Sequence, residues 1–287
     1  MPVRFRWLGY VCFEFILPSG KVLVVDPYID HSPTAPIGSD EVTGADYIAL
    51  THGHYDHVTD VGTLYRRFHS KVILSREIAE PLARAFTIDL GDLVRVSAGD
   101  RLHFADLRIE VKRGQHINLL PPLRRAYRRV LKKDPDPDWS WQEIQREMEK
   151  ALNLAPKAET AALLERLDQA GVIGGEQLNF LFQTEDHLRL FFFSSGPEEH
   201  LRSVIGDVQA HALFLQLGGT DPEKMADFAA LSGAPLIIPT HHDNAGPEGA
   251  HQRAKAFSEL LSKRSSSRVI DIEHGKWYEI AAVCREV

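Results

Sequence analysis

Cysteine is almost missing from this chain. Among 287 residues there are two, Cys12 and Cys284, near opposite ends and in no C-x-x-C pair. That excludes a disulfide framework and a thiolate metal cluster, and both are expected to behave as small buried apolar side chains. Long apolar runs are also lacking. No stretch approaches the roughly 20 residues that cross a bilayer as a helix, and Met1 to Trp7 has no apolar signal core. The expectation is a soluble, cytoplasmic protein. Positive charge is not in excess either: 33 Lys and Arg stand against 40 Asp and Glu, a net charge of −7. A general nucleic-acid binder would normally carry a basic face, so a nucleic-acid partner is not expected. There is no internal repeat and no linker-like stretch, so residues 1–287 read as one domain. Its apolar fraction of 44% is enough for a sizeable core.

What the chain does have is histidine in one place. Thr51-His52-Gly53-His54-Tyr55-Asp56-His57 follows the short apolar run Tyr47 to Leu50, which reads as a buried strand. Three imidazoles and a carboxylate at a strand end make a poor core and a good metal site. Imidazole suits zinc and other first-row ions, and a carboxylate adds charge and can handle a proton.

The order H-x-H-x-D-H resembles the signature of the metallo-β-lactamase superfamily, carried here by His52, His54, Asp56 and His57. The opening of the chain, with Trp7-Leu8-Gly9 and Val25-Asp26-Pro27, looks most like the branch containing the ascorbate-6-phosphate lactonases and related small metal hydrolases. Where that branch often has a His after the Gly, this chain has Tyr10. The resemblance implies an α/β (α+β) fold, an αββα sandwich, and a site for one or two metal ions that activate a water. It implies a third imidazole for the first ion at a later strand end. His116, after Lys112-Arg113-Gly114-Gln115, fits that place better than His103, which lies inside a strand pattern. For the second ion, beside Asp56 and His57, the family's Pro-x-His maps onto Pro239-Thr240-His241. His242 then faces substrate or supports a ligand. Asp26 in such proteins is a buried hydrogen-bonding support, and as a bare sequence feature it is also a strand-ending turn residue before Pro27. Tyr55 is grouped with these supporting or substrate-facing residues.

One position departs from the family. The strand Leu188 to Phe193 should be followed by a Gly-Asp whose carboxylate joins two ions, and here the matching residue is Pro197. Either Glu198, Glu199 or His200 substitutes, or the ions are joined only by solvent, or one ion binds well. Without an anionic bridge two divalent cations are less well screened from one another.

The remaining elements alternate. Strands are expected at Val3 to Leu8, Val11 to Leu17, Lys21 to Asp26, Val72 to Leu74, Leu93 to Val96, Asp100 to Phe104, Leu107 to Lys112, Gln177 to Thr184, His211 to Leu217 and Pro235 to Pro239. Helices are expected at Val58 to Phe68 with Asp60 as cap, from Ser75 to about Phe86, after the Asp221 cap, and from Pro247 to Leu261. Residues 117–176 read as a helical insertion, serving as a lid or a dimer contact. It carries a basic run with Arg124, Arg125, Arg128 and Arg129. Its helices Trp139 to Leu154 and Ala158 to Ala170 show apolar stripes at Trp141, Ile144, Met148 and Leu152, and at Ala161, Leu164, Leu167 and Ala170. Arg124 or Arg128 is the candidate contact to an anionic substrate group.

The expected function is metal-dependent hydrolysis of a small-molecule ester, lactone or amide. Zinc is the expected ion, with manganese or iron as alternatives, and Asp56 handles the proton. A phosphodiesterase of the same fold, or a metal-binding protein without hydrolysis, are the other readings. A homo-oligomer is compatible with all of them.

Overall fold

The computed structural model describes residues 1–118, 120–152, 157–244 and 246–281. Cys284 lies outside these, whereas Cys12 is fully buried. Among the described residues the strands form two seven-stranded sheets. The first contains β1 (Val3–Trp7), β2 (Phe13–Ile16), β3 (Val22–Val25), β4 (Tyr47–Ala49), β5 (Lys71–Ser75) and β6 (Leu93–Val96) in chain order. The second contains β7 (Arg101–His103), β8 (Leu107–Arg113), β9 (Leu178–Thr184), β10 (Arg189–Phe193), β11 (Ala212–Gln216), β12 (Leu236–Thr240) and β13 (Arg268–Val269). The last strand, β14 (Tyr278–Ile280), returns to pair antiparallel with β1.

Each sheet is antiparallel on one side and parallel on the other. The parallel runs are β3-β4-β5-β6 and β10-β11-β12-β13. Parallel strands are covered on both faces and so read as continuous apolar runs. In β3, Leu23 and Val25 face the core between the sheets, while Val22 and Val24 face the helices outside. The inter-sheet core is rich in phenylalanine: Phe5, Phe13, Phe15, Phe180, Phe182, Phe192 and Phe214 are at most 1% exposed. Each such side chain contributes about 1.5–3 kcal/mol by leaving water.

Helices α1 (Tyr55–Val58), α2 (Val61–Phe68) and α3 (Arg76–Phe86) are joined with the outer face of the first sheet. The insertion supplies α4 (Leu120–Leu131), α5 (Trp141–Ala151) and α6 (Ala158–Ala170). On the outer face of the second sheet lie α7 (Arg202–Gly206), α8 (Pro222–Ser232) and α9 (Gly246–Leu261). The layer order is therefore helix, sheet, sheet, helix, as expected from the αββα reading.

Three local expectations change. Asp60 occupies the cap position of α2 but does not cap it; its carboxylate accepts from the backbone N–H of Ile29 at 2.7 Å and of Asp30 at 3.3 Å. Tertiary demand from the loop after β3 outweighs the local cap. In α5 Ile144 is buried while Leu152, beyond the helix end, is 44% exposed, so the stripe is shorter than its sequence spacing. In α6 the buried residues are Leu163 and Leu167. Packing against α3 selects that face, and Ala161 is exposed. No helix among the described residues is long and apolar enough to cross a membrane.

Candidate metal centre

Ligands gather in an α/β protein at strand ends, because the chain must turn there and side chains project into the crevice. Here β3 runs into Asp26, and β4 into Thr51 to His57. His116 follows β8, and His241 follows β12. The β4 turn is held from across the fold. Gly53 N–H donates to the Gly174 carbonyl at 2.8 Å, and Leu178 N–H donates to the Thr51 carbonyl at 2.8 Å. A β-carbon at Gly53 would lie 2.0 Å from the Val172 carbonyl oxygen, so only glycine lets the segment leading out of the insertion press onto this turn. Gly218, after β11, is fixed likewise: a β-carbon there would stand 1.9 Å from the His241 carbonyl oxygen.

These turns bring together two sets of donor atoms. His52, His54 and His116 offer one atom each within 4.8 Å of one another, and Asp56, His57 and His241 do the same. The imidazoles form a continuous cluster, with ring centroids 4.5 Å apart for His52 and His54, 4.3 Å for His54 and His116, and 3.9 Å for His52 and His57. Asp56 stands between His57 and His241, with carboxylate oxygens 3.7 Å and 3.2 Å from their Nε2 atoms.

The hydrogen bonds around this cluster fix which nitrogen of His52 and of His57 faces inward. Asp26, fully buried, accepts from Thr51 N–H at 2.7 Å and from the Thr51 hydroxyl at 2.7 Å. Its Oδ2 is also 2.9 Å from Nδ1 of His57. Since the single Thr51 hydroxyl proton goes to Asp26, that oxygen can only accept from Nδ1–H of His52, 3.1 Å away. Both rings therefore carry their protons on Nδ1 and turn the Nε2 lone pair toward the cluster. Nε2 of His52 is buried there and has no hydrogen-bond partner. A buried acceptor without a partner is costly in a folded protein, and a cation satisfies it. The donor set thus fits a metal.

Electrostatics point the same way. Burial, and then repulsion from neighbouring imidazoles, holds His52 well below its ordinary range, lowers His116, and lowers His54 to about 3. All three rings keep lone pairs free at neutral pH, as metal ligation requires. Burial also opposes charge on His57, but Asp26 and Asp56 outweigh it and raise its pKa. Burial would raise Asp56, yet His57 and His241 hold its carboxyl far below the usual range.

The other expected site residues behave differently. His242 is turned away from the cluster and stacked on Trp7, with centroids 5.0 Å apart and planes 3° from parallel, and burial lowers it to about 4. Tyr55 accepts a hydrogen bond at 3.3 Å from Gln145 of α5, which brings the insertion against the ligand loop. Arg124 donates to the Pro137 carbonyl and Arg128 to Asp134, so both bind the turn after α4. Glu198, Glu199 and His200 are exposed and belong to neither donor set; Glu199 pairs with Arg202. None of them takes the place of the carboxylate missing at Pro197, because the chain turns outward after Gly196 into a short helical turn.

Several supporting residues escaped the sequence reading. Thr51 joins Asp26, His52 and His57. Asn179 accepts from Ser194 N–H at 2.8 Å and from the Ser195 hydroxyl at 3.1 Å, and Ser195 accepts from Gln115 N–H at 3.1 Å beside His116. Asp243 accepts from Tyr10 N–H, the Thr34 hydroxyl and His274 Nε2 at 3.0, 2.7 and 3.0 Å. Contacts with His274 and Thr34 bring its pKa down to about 2 against the effect of burial. Adjacency to His52 was the available signal for Thr51; nothing local marks Asn179 or Asp243.

Residues 21–130 match the family model described as "Beta-lactamase superfamily domain". Over 97% of this chain and 99% of its own, the fold superposes on the metallo-beta-lactamase fold protein YhfI from Bacillus subtilis, with a TM-score of 0.61 and 11% identity. The chain has the metallo-β-lactamase fold. Igni18, a metallo hydrolase from Ignicoccus hospitalis, is similar over 98% of this chain and 99% of its own, with a TM-score of 0.67 and 16% identity. Among curated proteins, a "UPF0173 metal-dependent hydrolase" from Solibacter usitatus is 44% identical over 77 residues, 27% of this chain and 33% of that protein. The chain spans between 33% and 50% of the length of the first curated relatives it matches.

Proposed function

We propose that this chain is a metal-dependent hydrolase of a small-molecule ester, lactone or amide. The observation that carries the reading is the buried, unpartnered Nε2 of His52, facing His54 and His116. His52, His54 and His116 would hold one ion, and Asp56, His57 and His241 would hold the other. Three neutral imidazoles suit zinc. Bound there, such an ion would supply a water of lowered pKa and a positive charge that polarises the substrate's carbonyl or phosphoryl oxygen.

The chain's own residues do the rest. Thr51 and Asp26 keep the imidazole protons on Nδ1. Asp56 is the group that receives and returns a proton, its Oδ2 being 3.2 Å from His241 Nε2. The insertion, residues 117–176, acts as a lid whose Gln145 reaches Tyr55. An anionic substrate group would have to be met by residues other than Arg124 and Arg128, which are engaged within that insertion.

Pro197 favours a second reading, a centre in which only the three-histidine ion binds tightly. With no carboxylate at the end of β10, two cations repel across solvent alone. The test is metal analysis of the purified protein with a panel of lactone, phosphodiester and β-lactam substrates. Two zinc ions with lactone or ester turnover, and loss of both the three-histidine ion and the turnover in His52→Ala, support the hydrolase. One ion with turnover supports the single-ion form, and preference for the phosphodiester moves the assignment to a phosphodiesterase. A protein that binds no metal and is indifferent to His52→Ala ends the reading.

A further inference from the structure

Tyr10 sits at the tip of the β1–β2 hairpin with φ of 49°. Left-handed backbone is strained for a bulky aromatic residue, and glycine or asparagine would occupy it freely. Seven non-glycine residues in the described chain have such φ values. Two of them, His69 and Thr87, follow helix ends, where the conformation is ordinary. Lys132 directly follows α4, and His187 lies in the β9–β10 turn. The other three, Tyr10, Asp26 and His241, meet at the candidate metal centre.

Three hydrogen bonds impose the Tyr10 conformation. Its N–H donates to Asp243 at 3.0 Å, and its carbonyl accepts from Trp7 Nε1 at 2.9 Å and from His241 N–H at 2.8 Å. The ring is then held edge-on between the His241 imidazole and Tyr28, with both centroids 5.2 Å away. Two other tyrosine hydroxyls are used structurally, Tyr47 donating to Asp106 and Tyr65 to Asp92; those of Tyr28 and Tyr127 make no hydrogen bond among the described residues, but neither residue has the left-handed backbone of Tyr10. The Tyr10 hydroxyl has no hydrogen-bond partner among the described residues. A strained, over-determined backbone that presents an unused donor beside a ligand is the pattern of a functional residue.

We propose that the Tyr10 hydroxyl is a substrate-facing hydrogen-bond donor, meeting the oxygen of a carbonyl or phosphoryl group on which negative charge develops. The role rests on the metal-centre reading above, and no proton need leave the phenol. The donor is fixed before substrate arrives, which is what makes such groups effective.

Tyr10→Phe tests this, because it keeps the ring, the backbone bonds and the contact with His241. The readouts are calorimetric binding of inorganic phosphate, as a tetrahedral oxyanion, to the zinc-loaded protein; zinc content; melting temperature; and turnover of p-nitrophenyl acetate. The expected result is phosphate binding weakened about 5- to 10-fold and kcat lowered on the order of 100-fold. Zinc content, KM and melting temperature stay unchanged. A wild-type protein that binds phosphate in a Tyr10-dependent way but turns nothing over leaves this inference standing and removes the hydrolase. Phosphate binding that is absent in the wild type, or equal in Tyr10→Phe, overturns the inference.

Discussion

Asp26→Asn is the sharpest probe of how the centre is assembled. Asparagine is nearly isosteric and tolerates the left-handed backbone at this position, where φ is 46°. The carboxylate accepts three times, from Thr51 N–H, the Thr51 hydroxyl and His57 Nδ1. Thr51 N–H is on Oδ1, whereas the Thr51 hydroxyl and His57 Nδ1 share Oδ2. An amide has one accepting oxygen and one donating nitrogen. With its oxygen in the Oδ2 place, the NH2 group faces Thr51 N–H, and the metal-binding turn loses that backbone anchor. With its nitrogen there, His57 must accept on Nδ1 and carry its proton on Nε2, the atom needed by a metal. The Thr51 hydroxyl then turns its proton toward His52 Nδ1, and the proton of that ring moves to Nε2 as well. The first arrangement loosens the turn and the second removes inward lone pairs. Changing a residue that hydrogen-bonds to metal-binding side chains costs about 10- to 100-fold in metal affinity, or about 1.4–2.7 kcal/mol at 1.36 kcal/mol per factor of ten. Competition for zinc against a chromophoric chelator measures this, with circular dichroism checking the fold. A folded Asp26→Asn protein with wild-type zinc affinity at every site would refute the support role of Asp26.

Further outcomes follow from other contacts. Gly53→Ala places a β-carbon against the Val172 carbonyl and should cost about 1–3 kcal/mol, read as a lower melting temperature together with weaker zinc binding. His241→Ala should remove at most the ion of the Asp56 group, whereas His52→Ala should remove the three-histidine ion, as counted by metal analysis. Equal losses in both variants would argue for a single merged site. Asp106 links the sheets through Tyr47, Ser19 and Lys21. Burial opposes its charge, but these partners hold its pKa below the ordinary value. Its contribution is thus complete above the unfolded pKa near 3.9 and fades as pH falls through the lower folded value. Asp106→Asn should cost about 1–3 kcal/mol at pH 7 and flatten the acid limb of a melting-temperature profile; an unchanged limb contradicts this account.

Much of the architecture was legible from local pattern. The apolar runs of β3 and β4 and the Asp221 cap, whose side chain accepts from Glu223 and Lys224 N–H, depend on neighbours in sequence. So does the ligand loop, since His52, His54, Asp56 and His57 share one turn. The resemblance in these residues extended that reading to His116 and His241. Where a local rule met a distant demand, it failed. Asp60 serves the loop after β3 instead of its helix, Leu152 is exposed, and Arg124 and Arg128 close a turn of the insertion.

The sequence by itself determined that the chain carries a metal-type donor cluster on a sandwich of alternating strands and helices, because spacing along a strand or turn fixes which side chains share a face. Only the tertiary structure decided which of two adjacent imidazoles, His241 or His242, turns toward that cluster. The left-handed backbone at His241, bonded to Tyr10 from the far end of the chain, sends one ring to Asp56 and the next onto Trp7. It likewise decided that Thr51 and Asp26 set the tautomers. Such contacts join strands far apart in sequence, and no local pattern encodes the distance between two strand ends.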